Sequence, residues 1–172
     1  MNRFAVVGLV ALVAALLSGC GAGQISQMST QEPAVNGNKV TINNVALRDV
    51  RMQAVQTGAF LEPGRTVNLV AVAVNQSPDV ADRLISITSE VGAVTIDGDG
   101  RLPPGGKLFI GVPDGQSVAP GPLEPNNAVK ATVALAKPIS NGLTYKFTFN
   151  FEKAGQADVL VPISAPLGPQ PV

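Results

Sequence analysis

The sole cysteine of the chain, Cys20, has the clearest chemistry in the sequence. It follows Leu17-Ser18-Gly19, and a thiol placed after two small residues is the pattern of a bacterial lipobox. Upstream, Arg3 precedes an uninterrupted apolar run over residues 4–17, which is typical of a secretory signal peptide. The run is shorter than the ~20 apolar residues of a membrane-spanning helix. We therefore expect residues 1–19 to be removed and Cys20 to carry a lipid anchor; an ordinary secretory peptide with an incidental cysteine is the alternative.

Histidine is absent from all 172 residues, and this excludes several kinds of chemistry. Neither a Ser-His-Asp nor a Cys-His nucleophile can form, and histidine zinc sites and the usual near-neutral general base are excluded as well. The chain balances 12 basic against 12 acidic side chains and has no tryptophan, so we expect no nucleic-acid binding. We also expect no catalytic residue, no metal and no cofactor.

Two groups of carboxylates have spacings that could serve chemistry. Asp97-Gly98-Asp99-Gly100 resembles the start of a calcium-binding loop, but Arg101 follows and the later acidic ligand is missing. A tight hairpin turn is therefore favoured, with an oxygen-ligand cation site as the alternative. Glu90 and Glu152 could act as acid and base only if the fold placed them in one cleft, which their spacing does not indicate.

A polar segment after a long apolar run is the first candidate surface for a partner, because loops that follow buried strands often carry binding residues. We expect Asp79, Asp82 and Arg83 to be solvated, with an exposed ion pair among them. The Gly- and Pro-rich residues 111–125 are the second candidate, and an irregular loop without a partner is the alternative for them. The predicted partner-binding residues are Asn75, Gln76, Ser77, Asp79 and Asp82.

The elements that position these residues are predicted to be β-strands. From Val40 onward apolar and polar residues alternate, and clusters of Gly, Pro, Asn and Asp separate the runs. Many short strands with such turns are typical of a β-sandwich. The predicted strands cover residues 40–45, 67–74, 84–88, 93–96, 107–112, 129–135, 144–151 and 158–163.

The strand over residues 144–151 carries a row of aromatic side chains. Tyr145, Phe147, Phe149 and Phe151 stand at every second position and therefore project to one face. Such a row favours a core seam of the sandwich. An aromatic groove for a small apolar ligand is the alternative.

The strands predict one domain over residues 38–164. Residues 20–37, which begin with the lipidated cysteine, are rich in Gly, Gln, Ser and Thr and predict a flexible tether. Residues 165–172 contain three prolines and predict an extended tail. Removing residues 1–19 leaves roughly 150 residues, a normal size for one domain.

Three segments resemble the periplasmic copper chaperones of the PCuAC family. They are Asp82-Arg83-Leu84-Ile85-Ser86, Phe149-Asn150-Phe151-Glu152-Lys153-Ala154-Gly155 and Val159-Leu160-Val161-Pro162. The resemblance implies a cupredoxin-like or immunoglobulin-like antiparallel β-sandwich. It also implies a Cu(I) site built from His and Met side chains.

The ligand positions of that family do not hold such side chains here. Placed by spacing, they fall at or beside Asp97 and at Val129 and Ala131. Cu(I) prefers soft sulfur or imidazole ligands, which none of these residues supplies. The resemblance therefore implies the fold without its metal.

A closer resemblance covers the whole mature chain and is to the LpqE-type lipoproteins of actinobacteria. Its matching segments are residues 21–27, 33–38, 74–80 and 136–156. The resemblance implies association with the cytochrome bcc–aa3 respiratory supercomplex on the outer face of the plasma membrane. We therefore expect a lipid-anchored, non-catalytic accessory protein. A copper chaperone for cytochrome oxidase assembly and a small-ligand-binding lipoprotein are the alternatives.

Overall fold

The computed structural model describes residues 37–55, 58–111 and 127–165, which form strands joined by turns. Within this part of the chain, no helix is long and apolar enough to cross a membrane. The alternation of apolar and polar residues predicted the type of secondary structure correctly. The strands are β1 (Asn38–Ile42), β2 (Val45–Gln53), β3 (Thr66–Asn75), β4 (Asp82–Ser89), β5 (Gly92–Asp97), β6 (Arg101–Leu102), β7 (Lys107–Ile110), β8 (Ala128–Leu135), β9 (Thr144–Phe151) and β10 (Gly155–Ser164).

The strands lie in the order β5-β8-β7-β3-β2-β10-β9-β4-β6, and β1 pairs with β2. The sheet curls, so that buried side chains from both of its halves, such as Leu69 of β3 and Phe149 of β9, belong to one core. Most pairs are antiparallel, but β10 pairs with β2, and β7 with β8, in parallel. The predicted all-β sandwich is confirmed, with two parallel pairings added to the antiparallel ones.

The aromatic row of β9 forms part of this core. Phe147 and Phe149 are fully buried and Phe151 is 2% exposed. Tyr145 is half-buried, and its hydroxyl oxygen accepts a hydrogen bond from the backbone N–H of Ser140 at 2.7 Å. The core-seam prediction is therefore confirmed, and the alternative of a ligand groove along this row is wrong.

The first predicted strand, residues 40–45, is instead the tip of a hairpin. The chain reverses at Asn43 and Asn44, and Ile42 pairs with Val45 across the turn. Asn43 adopts a φ of 46°, in the left-handed region that asparagine tolerates better than most residues. Two consecutive asparagines between apolar runs were the available signal for this turn.

The strand that follows the hairpin, β2, was not predicted. A bulge between Arg48 and Arg51 shifts its register against β3. Asp49 lies in the bulge with a φ of 54° and forms an ion pair with Arg51. The extra residue breaks the alternation of apolar and polar positions, which explains why the pattern did not indicate a strand.

Candidate interaction site at the loop end of the sandwich

Three connections meet at one end of the sandwich, which we call the loop end. They are the β1–β2 turn, the β3–β4 loop and the β9–β10 turn. The backbone N–H of Gln76 donates to the carbonyl of Asn44 at 2.7 Å, and Asn43 Nδ2 donates to the carbonyl of Ala154 at 2.9 Å. The three connections line a polar cleft of about 410 Å³. Asn43 is a residue of this end that the sequence interpretation missed.

Asn75, the last residue of β3, is only 2% exposed, and its buried side chain forms hydrogen bonds with the β3–β4 loop. Its Nδ2 donates to the carbonyl oxygens of Val80 at 2.7 Å and of Pro103 at 3.1 Å. Its Oδ1 accepts the backbone N–H of Ser77 at 3.0 Å, and Ser77 Oγ accepts that of Val80 at 3.1 Å. These bonds satisfy buried polar groups of the loop and so favour one loop conformation.

Asp82, the first residue of β4, has a corresponding role toward the β9–β10 turn. Its Oδ1 accepts the backbone N–H groups of Arg83 at 2.7 Å and Lys153 at 2.9 Å. Its Oδ2 accepts the backbone N–H of Ala154 at 2.9 Å. Hydrogen bonds to an ionised acceptor are stronger than those between neutral groups. The carboxylate therefore ties β4 to the turn that joins β9 and β10.

The five residues predicted to contact a partner differ in exposure. Asn75, Ser77 and Asp82 are buried, whereas Gln76 and Asp79 are exposed. The buried residues direct their polar groups to the backbone of the loop end and hold it in place. Gln76 and Asp79 are accessible to a partner. Val80, which follows Asp79, is also accessible, with a side chain that is 47% exposed.

The ion pair predicted near this loop has different members. Arg83 Nη1 lies 2.6 Å from Asp99 Oδ1, and both side chains are exposed. Asp82 is buried and bonded to backbone N–H groups, so the prediction that it is solvated is wrong.

The prediction of a tight hairpin turn over residues 97–100 is wrong, and the chain bends at Gly98 instead. The strands on either side of it do not pair with each other, because β5 pairs with β8 and β6 pairs with β4. Among the described residues, no group of three or more Asp, Glu, His or Cys side chains could hold a metal ion. The geometry therefore gives the alternative of a cation site at Asp97 and Asp99 no support.

Glu90 and Glu152 lie near opposite ends of β9. Glu90 Oε1 accepts the backbone N–H of Lys146, close to the start of that strand, while Glu152 directly follows its last residue, Phe151. A strand rises ~3.3 Å per residue, which separates the two positions by roughly 20 Å. They cannot act as an acid–base pair on one substrate.

The three positions at which the sequence resemblance places copper ligands lie on neighbouring strands. Asp97 pairs with Lys130, which stands between Val129 and Ala131 on β8. Val129 and Ala131 are 3% and 1% exposed and belong to the core, whereas Asp97 is exposed. Side chains alternate between the faces of a strand, so Asp97 and the two apolar residues point to opposite faces. These residues do not fit a Cu(I) ion, since only the carboxylate offers a donor atom.

One ion pair on the outer face of β9 and β10 shifts two pKa values. Lys146 Nζ lies 2.7 Å from Asp158 Oδ2, and Thr148 Oγ1 donates to Asp158 Oδ1 at 2.6 Å. The hydrogen bond from Lys146, followed by that from Thr148, lowers the pKa of Asp158. The same bond to Asp158 raises the pKa of Lys146. Both side chains are about half exposed, which limits the contribution of this pair to stability.

Four sequence predictions fall on residues outside the described ranges. They concern Cys20 with the signal peptide, the tether up to residue 36, residues 112–125 of the second candidate loop, and the tail from residue 166. These remain predictions from the sequence.

The described fold is that of the PCuAC domains. The copper-bound PCuAC domain from PmoF2 matches with a TM-score of 0.54 at 20% identity, over 75% of this chain and 99% of that one. The apo PCuAC domain from PmoF1 matches with a TM-score of 0.55 at 23% identity, over 75% and 100%. The class of protein is thus a PCuAC-like β-sandwich.

The sequence assigns a family within this class. The family profile described as LpqE-like matches residues 45–163. The protein named "Putative lipoprotein LpqE" from Mycobacterium tuberculosis is 69% identical over 161 residues, covering 94% of this chain and 88% of its relative. Its namesake from Mycobacterium leprae is 64% identical over 169 residues, covering 98% and 92%. The chain belongs to the LpqE-like lipoprotein family, which confirms the resemblance seen in the sequence.

Proposed function

We propose that this chain is a lipid-anchored, non-catalytic accessory protein on the extracytoplasmic face of the cell membrane, where it associates with the cytochrome bcc–aa3 supercomplex. Membership of the LpqE-like lipoprotein family and the association implied by the sequence resemblance support the proposal. The observation that carries it is the burial of two apolar residues, Val129 and Ala131, where the sequence resemblance places copper ligands in a PCuAC-type fold. Because these two side chains offer no donor atom, they favour a role in partner contact over a role in carrying copper.

Cys20 is the proposed point of attachment to the membrane. The support is the motif Leu17-Ser18-Gly19-Cys20 together with the lipoprotein family. Each buried CH₂ of an acyl chain contributes ~0.8 kcal/mol, and stable anchoring takes two chains or more. Confinement to the membrane raises the effective concentration of the domain near other membrane proteins, so a small interface can suffice.

The proposed contact surface is the exposed part of the β3–β4 loop. Gln76, Asp79 and Val80 project from a loop that Asn75 and Ser77 hold from inside. A loop already held in one conformation loses little conformational entropy when it binds. The surface combines one amide, one carboxylate and one apolar side chain, which suits a protein partner.

Affinity purification of the tagged, membrane-anchored protein in mild detergent, followed by mass spectrometry, tests the association. We expect subunits of the bcc and aa3 complexes to be enriched, and to be lost with Cys20→Ala. Val80→Asp should reduce their recovery, while Ile85→Asp, at a 51%-exposed position on the outer face of β4, should not. Recovery of the wild-type protein alone would contradict the proposal.

A Cu(I) titration of the purified protein tests the alternative of a copper chaperone. Because Val129 and Ala131 offer no donor atom, we expect no tight stoichiometric uptake. Tight binding of one Cu(I) per chain would show that ligands elsewhere were overlooked and would favour the copper chaperone.

A further inference from the structure

The end of the sandwich opposite to the loop end carries three exposed apolar side chains, and we call it the apolar end. Val55, Phe60 and Leu143 are 59%, 47% and 56% exposed. Leu61 and Ile139 exchange backbone hydrogen bonds, with N–O distances of 2.7 and 3.1 Å, which brings the segments that carry Phe60 and Leu143 side by side.

Val55, the third of these exposed side chains, belongs to the same surface as Phe60 and Leu143. Val55 and Leu61 line one cleft of about 200 Å³ together with Arg65. Val55 follows the end of β2 by two residues. Three of the six large apolar side chains that are exposed in the described part of the chain therefore lie at this one end of the domain.

The chain enters the domain nearer to this end than to the loop end. Asn38, the first residue of β1, pairs with Val50, three residues before β2 ends at Gln53. From there β1 runs toward the loop end and reaches the turn after Ile42. The 17 residues that separate Cys20 from Asn38 can span at most roughly 60 Å, so an anchored Cys20 keeps the domain within that distance of the bilayer and allows the apolar end to reach it.

The charges around the apolar end are balanced. Arg65 and Lys137 are exposed there, and so are Glu62 and Glu90. This balance gives no electrostatic attraction to anionic lipid. Any contact with a membrane at this end must come from the apolar side chains.

We propose that the apolar end rests on the surface of the lipid bilayer when the protein is anchored, with Val55, Phe60 and Leu143 inserted at the headgroup boundary. The inference rests on the proposed lipid anchor at Cys20. Three apolar side chains bind a membrane weakly by themselves, but the anchor supplies the effective concentration that makes such a contact persist. β10 has ten residues and a rise of ~3.3 Å per residue, which places the loop end roughly 30 Å above the membrane, where a protruding partner can reach Gln76 and Asp79.

Fluorescence of single labelled positions in the lipidated protein tests this orientation. Phe60→Cys and Val80→Cys are a matched pair, because both native side chains are 47% exposed and they lie at opposite ends of the domain. Each variant, labelled with a polarity-sensitive dye, is reconstituted into phosphatidylcholine vesicles that contain a lipid-bound quencher. We expect about threefold stronger quenching, with a blue-shifted emission, for the F60C label than for the V80C label, since an inserted group lies ~5–10 Å into the interface.

Further measurements distinguish the proposed orientation of the domain from the proposed lipid anchor at Cys20. Quenching of the F60C label should not change when phosphatidylglycerol or high salt is added, because apolar contact carries the interaction. Leu143→Cys gives a second, independent position at the apolar end if F60C does not fold. Equal quenching of labels at both ends, or none at either while the protein stays on the vesicles, overturns the orientation and leaves the anchor intact. Loss of the protein from the vesicles overturns the anchor and the orientation together.

Discussion

The Asp82 carboxylate accepts a hydrogen bond from the backbone N–H of Ala154 at 2.9 Å, although the two residues are 72 positions apart in sequence. The other carboxylate oxygen accepts the adjacent N–H of Lys153 at 2.9 Å. One side chain thereby satisfies two donors of the β9–β10 turn and fixes that turn to the start of β4. The loop end depends on this connection, since the Ala154 carbonyl in turn accepts a hydrogen bond from Asn43.

Replacement of Asp82 by alanine is expected to destabilise the fold. The change leaves the N–H groups of Lys153 and Ala154 without their acceptor, and we expect a loss of about 3 kcal/mol in the free energy of unfolding. Asp82→Asn keeps one acceptor oxygen but turns an amide NH₂ toward a backbone N–H, so it should also destabilise the fold. Urea unfolding followed by circular dichroism measures the change.

The control is Asp79→Ala in the same loop. Asp79 is exposed, so its replacement should change the free energy of unfolding by less than about 0.5 kcal/mol. A loss for Asp82→Ala that is as small as the one expected for Asp79→Ala would show that the buried bonds of Asp82 contribute little.

Asn75→Asp tests whether the donors of this amide hold the β3–β4 loop. The variant replaces the Nδ2 that donates to the carbonyl oxygens of Val80 and Pro103 with an oxygen atom that repels them. Burial beside two carbonyl oxygens, with only the N–H of Ser77 as a donor, is expected to raise the pKa of the introduced carboxyl above its unfolded value of about 3.9. The stability of the variant is then greatest below that pH and falls as the pH rises toward the pKa of the folded state.

Urea midpoints of Asn75→Asp and of the wild type, measured from pH 3 to pH 7, check this expectation. We expect a loss of about 2–4 kcal/mol at pH 7 and a smaller loss at pH 3. A loss that is independent of pH would mean that the introduced carboxyl reaches solvent. The β3–β4 loop would then be less firmly held than its hydrogen bonds indicate.

The strands that the sequence predicts best are those whose side chains alternate without interruption. β9 matches its predicted bounds, because a row of four aromatic residues on one face requires burial whatever the neighbouring strands are. β2 was missed because the bulge at Asp49 places charged residues where an alternating pattern needs apolar ones. The alternation of apolar and polar residues predicts a strand only where the pairing with neighbouring strands is free of bulges.

The residues proposed to contact a partner differ in what the structure shows of them. Asn75 and Asp82 were recognised as polar residues next to a buried strand. Their partners are Pro103, 28 residues away, and Ala154, 72 residues away, and no local pattern reveals such contacts. The structure therefore gives Asn75 and Asp82 a structural role in the loop end, and partner binding by the exposed residues of the loop stays a prediction.

Gly100→Ala is expected to cost more than Gly64→Ala, although both glycines have positive φ values, of 66° and 86°. A Cβ at Gly100 would lie 2.5 Å from the carbonyl oxygen of Leu84, and the Gly100 carbonyl accepts the N–H of that same residue at 2.9 Å. A Cβ at Gly64 meets no described atom within 4 Å. We expect losses of about 3 kcal/mol for Gly100→Ala and about 1 kcal/mol for Gly64→Ala in urea unfolding. Equal losses would show that the chain can shift away from Leu84 at no cost.

The ion pair between Lys146 and Asp158 on β9 and β10 leads us to expect a specific order of changes in the pKa of Asp158. The bond from Lys146 lowers the pKa of Asp158 more than the bond from Thr148 does. Lys146→Met should therefore raise that pKa more than Thr148→Val, while Lys130→Met, on β8 in the other half of the sheet, should leave it unchanged. Titration of the Asp158 carboxyl carbon by NMR measures all three variants. A larger effect of Thr148→Val would show that the hydroxyl, and not the ammonium group, is the main partner of the carboxylate.

The same pair predicts how stability depends on pH. A lowered carboxyl pKa in the folded state contributes stability that is present above the unfolded value of about 3.9 and is lost as the pH falls through the folded value. The raised pKa of Lys146 contributes stability below about pH 10.4, and this is lost as the pH rises through the folded value. Asp158→Asn should therefore flatten the acid limb of the stability profile and remove the contribution at alkaline pH. Because both side chains are about half exposed, Asp158→Asn should hardly change the urea midpoint at neutral pH and high salt. A large change under these conditions would mean that the ion pair is less solvated than its exposure indicates.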